Sequence, residues 1–258
     1  MCVMQRSVFA LTEVIMPGLI LFIISALISF SASASVVIMG TRVIYPEQKK
    51  SINVQLHNGE NSPSLVQAWL DTGNAYSPPD SVKVPFIITP PVSRVEAGTG
   101  QTLRIMYTGE PLPRDRESVF YLNVLDIPSR PETEESETDG GHINYLQLAV
   151  RSRIKLFFRP DTLSQSPADA RRQVKWSLIH KEGRILLRAD NQTPYFITYR
   201  KILLKTGQDM LSFSHPGMVS PYSFKEFVSP GKNAQGSSVI WTVINDYGGD
   251  EEGRSSIQ

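Results

Sequence analysis

Motifs for catalysis or metal binding are scarce in this sequence, and its four histidines stand far apart. No H-E-x-x-H motif, no histidine pair at metal-ligand spacing and no G-x-S-x-G nucleophile motif occurs. The segment 231–238, GKNAQGSS, lacks the lysine that follows the second glycine of a phosphate-binding loop, so we interpret it as a hairpin turn. The sequence therefore predicts no catalytic residue, no metal site, no cofactor and no enzyme activity. We interpret all four histidines as surface or loop residues: His57, His142, His180 and His215.

A different kind of chemistry, the pairing of backbone strands, is indicated between His142 and Pro160, HINYLQLAVRSRIKLFFRP. Apolar and polar residues alternate there, which is typical of an extended chain with two unlike faces. The pattern predicts a β-strand from Tyr145 to Phe158, about twice the usual length, that ends before Pro160 because proline removes a ladder donor. One face carries Leu146, Leu148, Val150, Ser152 and Ile154, and the other carries Tyr145, Gln147, Ala149, Arg151, Arg153 and Lys155.

Two interpretations of this strand are open from its residues alone. It is either a core strand with a polar outer face, or a strand that keeps part of its apolar face for another protein. The acidic segment 130–141, RPETEESETDGG, precedes it and is interpreted as a solvated loop between two strands.

The rest of the chain consists of short runs rich in Val, Ile, Leu, Phe and Tyr that are separated by Pro, Gly, Asn and Asp. This arrangement predicts an all-β protein, and seven candidate strands before Pro160 match the count of one immunoglobulin-like domain. A second β series follows. The predicted division is a first domain over 35–160, a linker over 161–172, a second β-sandwich domain over 173–250 and a polar, frayed tail over 251–258.

Residues 1–34 have the features of a secretory signal peptide. A thin basic start at Arg6 precedes the apolar run 17–30, and Ala32-Ser33-Ala34 offers small residues for cleavage before Ser35. The alternative is an uncleaved membrane anchor, since residues 14–30 approach the length that spans a bilayer. We expect cleavage, and no other apolar stretch is long enough to insert the mature chain into a membrane.

Cleavage has two consequences for the mature chain. The only cysteine, Cys2, is removed, so the exported protein has to be stable without disulfides. Because Arg6 and Glu13 leave together, the formal net charge stays at +1. This near balance argues against a nucleic-acid partner.

Seven motifs together resemble the periplasmic pilus chaperones of the chaperone-usher pathway, the PapD-like proteins. They occur in order over most of the mature chain: TRVIYP (41–46), TPPVSRVEAG (89–98), ESVFYLNVLDIP (117–128), YLQLAVRSRIKLFFRP (145–160), NQTPYFIT (191–198), MVSPYS (218–223) and INDYGG (244–249). The resemblance implies two immunoglobulin-like domains in an L or boomerang arrangement with a cleft between them. It also implies a non-enzymatic function in the periplasm.

The function implied by the resemblance is the capture of pilus subunits and their delivery to an outer-membrane usher. Subunits of this pathway lack their last strand, and the chaperone fills the resulting groove by lending its own long strand. The resemblance assigns Arg42 and Lys155 to the subunit's C-terminal carboxylate. It assigns Leu146, Leu148 and Val150 to the donor strand, and Glu117, Arg159 and Asp246 to charges that line the interdomain cleft.

One difficulty accompanies the anchor assignment. Strict alternation places Lys155 on the face opposite Leu146, Leu148 and Val150, and a bulge near Ser152 is predicted to reconcile the two assignments. An alternative function is a secreted two-domain immunoglobulin-like adhesion or binding protein that uses its loop tips. Self-association through the donor strand is a further open alternative for the free chaperone.

Overall fold

The computed structural model describes residues 36–79, 81–129, 146–181, 184–207, 209–213, 216–229 and 236–258. The predicted signal peptide, the acidic segment 130–141, Tyr145, His142 and His215 lie outside these ranges. Within them, no helix is both long enough and apolar enough to cross a membrane.

The first half of the described chain forms a sandwich of two sheets. One sheet has the order β1-β3-β7-β5 and the other the order β2-β9-β8-β4-β6. Alternate residues of both sheets point inward and form one core, as in strand β4, where Val66, Ala68 and Leu70 are buried. The nine strands are β1 Val36–Ile38, β2 Arg42–Pro46, β3 Ile52–Asn58, β4 Ser64–Asp71, β5 Phe86–Thr89, β6 Val92–Val95, β7 Gly100–Tyr107, β8 Ser118–Pro128 and β9 Val150–Arg159.

In two places the chain passes from one sheet of this sandwich to the other within a few residues. The run 36–46 becomes β1 and β2, which are separated by Gly40 with a φ of 134°, a conformation that side-chain-bearing residues rarely adopt. The run 86–91 ends as β5 at Thr89, and the chain enters the other sheet as β6. The crossing from β1 to β2 matters for the site, because it places Arg42 at the start of a strand beside β9.

Strand β9 is shorter than the sequence predicts. It begins at Val150, and Leu146 to Ala149 are described but are not part of a strand. Strand β2 runs parallel to β9 and covers only its second half, from the pair Arg42 and Lys155 to the pair Pro46 and Arg159. On that side of β9, residues 150–154 have no strand partner within the described ranges.

The second half of the described chain forms another sandwich behind a short helix, α1 (Pro167–Arg172), which is capped by Ser166. One sheet has the order β10-β11-β15, and the other has the order β13-β12-β16-β17 with β14 also paired to β12. Trp176 and Trp241 are the largest buried side chains of its core. Its strands are β10 Lys175–Lys181, β11 Arg184–Asn191, β12 Ile197–Thr206, β13 Asp209–Phe213, β14 Gly217–Val219, β15 Ser223–Val228, β16 Ser238–Ile244 and β17 Asp250–Ser256.

The predicted all-β class with two immunoglobulin-like sandwiches is confirmed, and two finer predictions are corrected. Residues 251–258 were predicted to be a frayed polar tail, but 250–256 form β17, which pairs with the whole of β16. A polar strand is stable there because backbone pairing, and not an apolar face, attaches it to the sheet. The predicted linker 161–172 contains helix α1.

Candidate functional site

Arg42 and Lys155 are direct neighbours in register on the parallel strands β2 and β9. Ile154, Leu156 and Phe158 of β9 pack into the core of the first sandwich, so the intervening residues project from the opposite face. That opposite face is directed at the second sandwich, because the ring centres of Phe157 and Phe196 are 5.8 Å apart and Arg159 forms an ion pair with Asp246. Lys155 therefore lies on the cleft side of the sheet.

The predicted bulge near Ser152 is not found. The pairing of β8 with β9 is uninterrupted from Ser118 opposite Phe158 to Asp126 opposite Val150. Strict alternation is thus maintained. Lys155 and Val150, the predicted donor residue that lies within β9, are on opposite faces of the strand because the cleft is on the outer face of the sheet and not on the core face.

Arg42 is held by the second sandwich. Its Nη1 donates a hydrogen bond of 2.8 Å to the carbonyl oxygen of Ile244, and its guanidinium lies 5.6 Å from the centre of the Phe157 ring. Burial lowers the pKa of Arg42, an effect that Asp246 partly opposes. Its buried Nε has no hydrogen-bond partner among the described residues. The guanidinium is therefore positioned and still has donor capacity.

Lys155 has no carboxylate within ion-pair distance in the part of the chain that the structure describes. Burial, followed by the charges of Arg42 and Lys225, lowers the pKa of Lys155 to about 8. Two partly buried cations side by side without a counter-ion are unfavourable, and an anion placed between them removes that cost. The pair has the chemistry of a carboxylate site.

The three predicted cleft charges are brought together in one network. Arg159 donates from Nε to Glu117 at 2.8 Å and from Nη1 to Asp246 at 2.7 Å, and so bridges the two sandwiches. The second oxygen of Glu117 accepts the backbone N–H of Phe196 at 2.9 Å. Burial raises the pKa of Glu117 although Arg159 opposes it, whereas Asp246 and Glu117 raise the pKa of Arg159 against the effect of its burial.

The predicted donor residues are the exposed part of an otherwise buried row. Leu146, Leu148 and Val150 are 82%, 63% and 48% exposed. Val150 begins β9 on the face that carries Ile154 and becomes core further along, and Leu146 and Leu148 directly precede the strand. Contiguous exposed apolar side chains usually mark an interaction site. Gln147 donates to the carbonyl oxygen of Pro128 at 2.6 Å and keeps this segment beside the end of β8.

Two family models match the chain in succession. "Pili and flagellar-assembly chaperone, PapD N-terminal domain" covers residues 35–164, and "Pili assembly chaperone PapD, C-terminal domain" covers residues 169–255. The chain belongs to the PapD family of pilus assembly chaperones.

Individual members of the PapD family are similar over nearly the whole chain. The chaperone protein HifB of Haemophilus influenzae is 46% identical over 233 residues, covering 90% of this chain and 92% of HifB. The crystal structure of the YadV chaperone has a TM-score of 0.72 at 40% identity and covers 87% of this chain and 100% of YadV. A chain of the Salmonella enterica SafA pilin–SafB chaperone complex has a TM-score of 0.70 at 27% identity, covering 88% of this chain and 99% of that one.

The PapD-family resemblance did not indicate how far the cleft network extends. Arg171 of helix α1 is buried, contacts Asp246 at 3.5 Å and also pairs with Glu251 of β17. Arg171 lies in the segment that the sequence predicts to be a linker, and Glu251 lies in the predicted tail. Their types and spacing carry no periodic signal, so only the folded chain brings them to the cleft.

A second cluster of polar side chains, which the sequence analysis did not identify, lies on the outer face of β9. Asp71 is buried and accepts from Arg153 at 2.9 and 2.5 Å and from Asn123 at 2.7 Å. The Arg153 guanidinium lies 3.8 Å from the centre of the Tyr121 ring. These contacts satisfy the charge of Arg153, and Arg151 on the same face is exposed. Lys155 therefore stands out as the partly buried cation of that strand face that has no ion pair within the described ranges. No group of His, Cys, Asp and Glu in those ranges could hold a metal ion.

Asn191 at the end of β11 is fixed in the interior of the second sandwich. Its side chain is fully buried and donates to the carbonyl oxygens of Tyr195 and Ser220 at 2.8 and 2.9 Å. Asn191 therefore closes a turn of the second sandwich.

Proposed function

We propose that this protein is a periplasmic chaperone that captures pilus subunits by donating the beginning of β9, and that delivers them to an outer-membrane usher. The proposal is supported by three features that follow one another along residues 146–155, which lead into and begin β9. An exposed apolar row at Leu146, Leu148 and Val150 leads into an unpaired strand edge, and that edge ends at the cations Arg42 and Lys155.

The direction of the captured strand follows from this geometry. A strand added along residues 150–154 lies end to end with β2, which covers β9 only from Lys155 onward. If its C-terminal carboxylate binds between Arg42 and Lys155, the added strand has to run in the same direction as β9 and β2. The carboxylate then sits at the start of β2 and fixes the register of every residue pair before it.

The donor residues supply the apolar part of the binding free energy. Burying Leu146, Leu148 and Val150 in a subunit groove is worth roughly 1.5 to 3 kcal/mol each, before the cost of association. Backbone pairing along the free edge adds hydrogen bonds that do not depend on sequence. Side-chain burial and backbone pairing together support binding that is tight but can still be reversed at an usher.

The remaining roles rest on the same proposal. Glu117, Arg159 and Asp246 hold the two sandwiches together, and the carbonyl of Ile244 in the second sandwich orients Arg42. Residues 1–34 are proposed to direct export and then to be removed, with the mature chain acting without catalysis or cofactor. A free chaperone that covers its own donor strand by self-association is compatible with the exposed row.

The test is capture of a pilus subunit by periplasmic co-expression and affinity purification of the chaperone. Lys155→Ala is expected to abolish recovery of the subunit, because truncating one member of a desolvated charge pair costs about 2 to 5 kcal/mol. Lys201→Ala changes an exposed lysine of β12 and is the matched control. If the Lys155→Ala variant recovers as much subunit as the wild type does, the assignment of Lys155 to the anchor is wrong. A partner bound through loop tips, as in an adhesion protein, would be retained by both variants.

A further inference from the structure

Asp126 of β8 places a carboxylate in the interior of the first sandwich. It is 2% exposed, and its neighbours in register are Val66 of β4, which is buried, and Val150 at the start of β9. Strand β8 buries alternate residues, and the core residues Leu122 and Val124 precede Asp126 on the same inward side. A carboxylate at such a position is costly unless hydrogen bonds or a cation compensate its charge.

One of the two oxygens of Asp126 is bonded within the described ranges. Its Oδ2 accepts the backbone N–H of Val36, the first residue of β1, at 3.0 Å. Its Oδ1 is buried and has no hydrogen-bond partner in those ranges, and no Lys, Arg or His there forms an ion pair with Asp126. The carboxylate therefore keeps its charge and one acceptor oxygen for a further donor.

The hydrogen bond from Val36 connects the two sheets of the first sandwich. Strand β1 is paired with β3 in one sheet, whereas β8 belongs to the other. The side chain of Val36 is buried between the sheets. Asp126 thus fixes the beginning of β1 across the sandwich, beside the first residue of β9.

The residue before Val36 is the one at which the mature chain is expected to begin. Hydrolysis of the Ala34–Ser35 peptide bond by a signal peptidase consumes one water and leaves a carboxylate on Ala34 and an amino group on Ser35. That α-amino group is mostly protonated at neutral pH. Covalent geometry keeps the nitrogens of consecutive residues within about 4 Å of each other. The new ammonium group is therefore within reach of Asp126, which already bonds the next nitrogen.

We propose that the α-ammonium group of Ser35, formed when the signal peptide is removed, makes a buried ion pair with Asp126. This inference rests on the removal of residues 1–34 that is part of the proposed function. In the precursor the same nitrogen belongs to a peptide bond and carries no charge, so the first sandwich reaches its full stability only after cleavage. Because Asp126 is paired with Val150, the ion pair stabilises the sheet where the proposed donor segment enters it.

The test compares two forms of the mature chain, residues 35–258. One has a free α-amino group at Ser35, and the other is acetylated there, which removes the charge. Thermal unfolding is followed at pH 7. The acetylated form is expected to unfold about 4 to 8 °C lower, as for the loss of one buried charge pair in a chain of this size.

Two variants identify the groups that are responsible. The side chain of Asp126→Asn keeps an oxygen that can accept the N–H of Val36 but has no charge. In this variant, acetylation is expected to shift the midpoint by less than about 1 °C, because the two changes remove the same interaction. Ser35→Ala with a free amino group loses only the hydroxyl group, and we expect it to unfold at the wild-type temperature.

Several outcomes would overturn the ion pair. These are equal midpoints of the free and acetylated forms, an acetylation effect that persists in Asp126→Asn, or an equal loss in Ser35→Ala, which would assign the contact to the hydroxyl group. Intact-mass measurement of the chaperone from the periplasm gives its first residue, and an N-terminus other than Ser35 contradicts the proposal as well. Subunit capture tests the proposed function separately, since capture by a chain whose free and acetylated forms have equal midpoints refutes the ion pair alone.

Discussion

Lys155 combines partial burial, a neighbouring Arg42 and the absence of a described carboxylate partner, and the pKa of its ammonium group is lowered to about 8. The unfolded chain, with an ordinary lysine pKa, binds more protons than the folded one above pH 8, so this group makes the free chaperone more stable as pH rises from about 8. Subunit capture has the opposite dependence, because a carboxylate beside the ammonium group raises its pKa. Above pH 8, binding of a subunit is therefore expected to be accompanied by the uptake of a proton by Lys155.

The affinity for a subunit is accordingly expected to be constant at neutral pH and to fall as pH rises above about 8, while Lys155 loses its proton. Lys155→Arg is expected to flatten this fall, since a guanidinium stays charged throughout the range. Titration of subunit or peptide binding at a series of pH values gives both profiles. Identical profiles for wild type and Lys155→Arg would mean that another group controls the pH dependence.

The alternating apolar residues of the segment 146–158 are divided between two uses. Leu156 and Phe158 are buried in the core of the first sandwich, whereas Leu148 and Val150 are exposed. The same alternating pattern therefore supplies both the chaperone's own core and the row proposed for the subunit. The division falls where β2 stops covering β9, at Lys155.

Two substitutions on this face test the division. Leu148→Glu is expected to change the free energy of unfolding by less than about 0.5 kcal/mol and to abolish subunit capture, because the carboxylate would be buried in the partner's groove without a counter-ion. Leu156→Glu places the same charge in the core and is expected to unfold the first sandwich. Denaturation curves beside a subunit pull-down separate the two effects. A loss of several kcal/mol in Leu148→Glu would show that Leu148 is a core residue of the chaperone.

Alternation and turn residues were sufficient to predict most strands and the two sandwiches, because each strand buries one apolar face. They did not predict β17, since 250–256 has no apolar face and is held by backbone pairing to β16. The motif resemblance named Arg42 and Lys155, but the side of β9 that faces the cleft became clear only from the position of the second sandwich. Arg171 and Glu251 join the cleft network through a helix and that unpredicted strand.

At the scale of the whole molecule, the cleft is assembled by contacts that cross from one sandwich to the other. Arg159 connects Glu117 to Asp246, and Arg42 bonds the carbonyl of Ile244. Gly248 adopts a φ of 85°, and a Cβ at that position would lie 2.4 Å from Oγ1 of Thr41. The proposed anchor for the subunit therefore depends on the second sandwich, although Arg42 and Lys155 both belong to the first.

Arg171 is the side chain that ties helix α1 to this junction, through Asp246 and Glu251. Arg171→Met leaves two partly buried carboxylates with less compensation, so we expect the free energy of unfolding to fall by about 2 to 4 kcal/mol, less than for a fully buried pair. Subunit capture is expected to weaken as well, because Asp246 also holds Arg159. Arg172→Met, at the exposed neighbour in the same helix, is expected to stay within about 0.5 kcal/mol of wild type and to capture normally. Chemical denaturation and subunit pull-down measure the stability and the subunit capture of the two variants. Equal stability and equal capture in Arg171→Met and Arg172→Met would exclude a role for Arg171 in holding the cleft together.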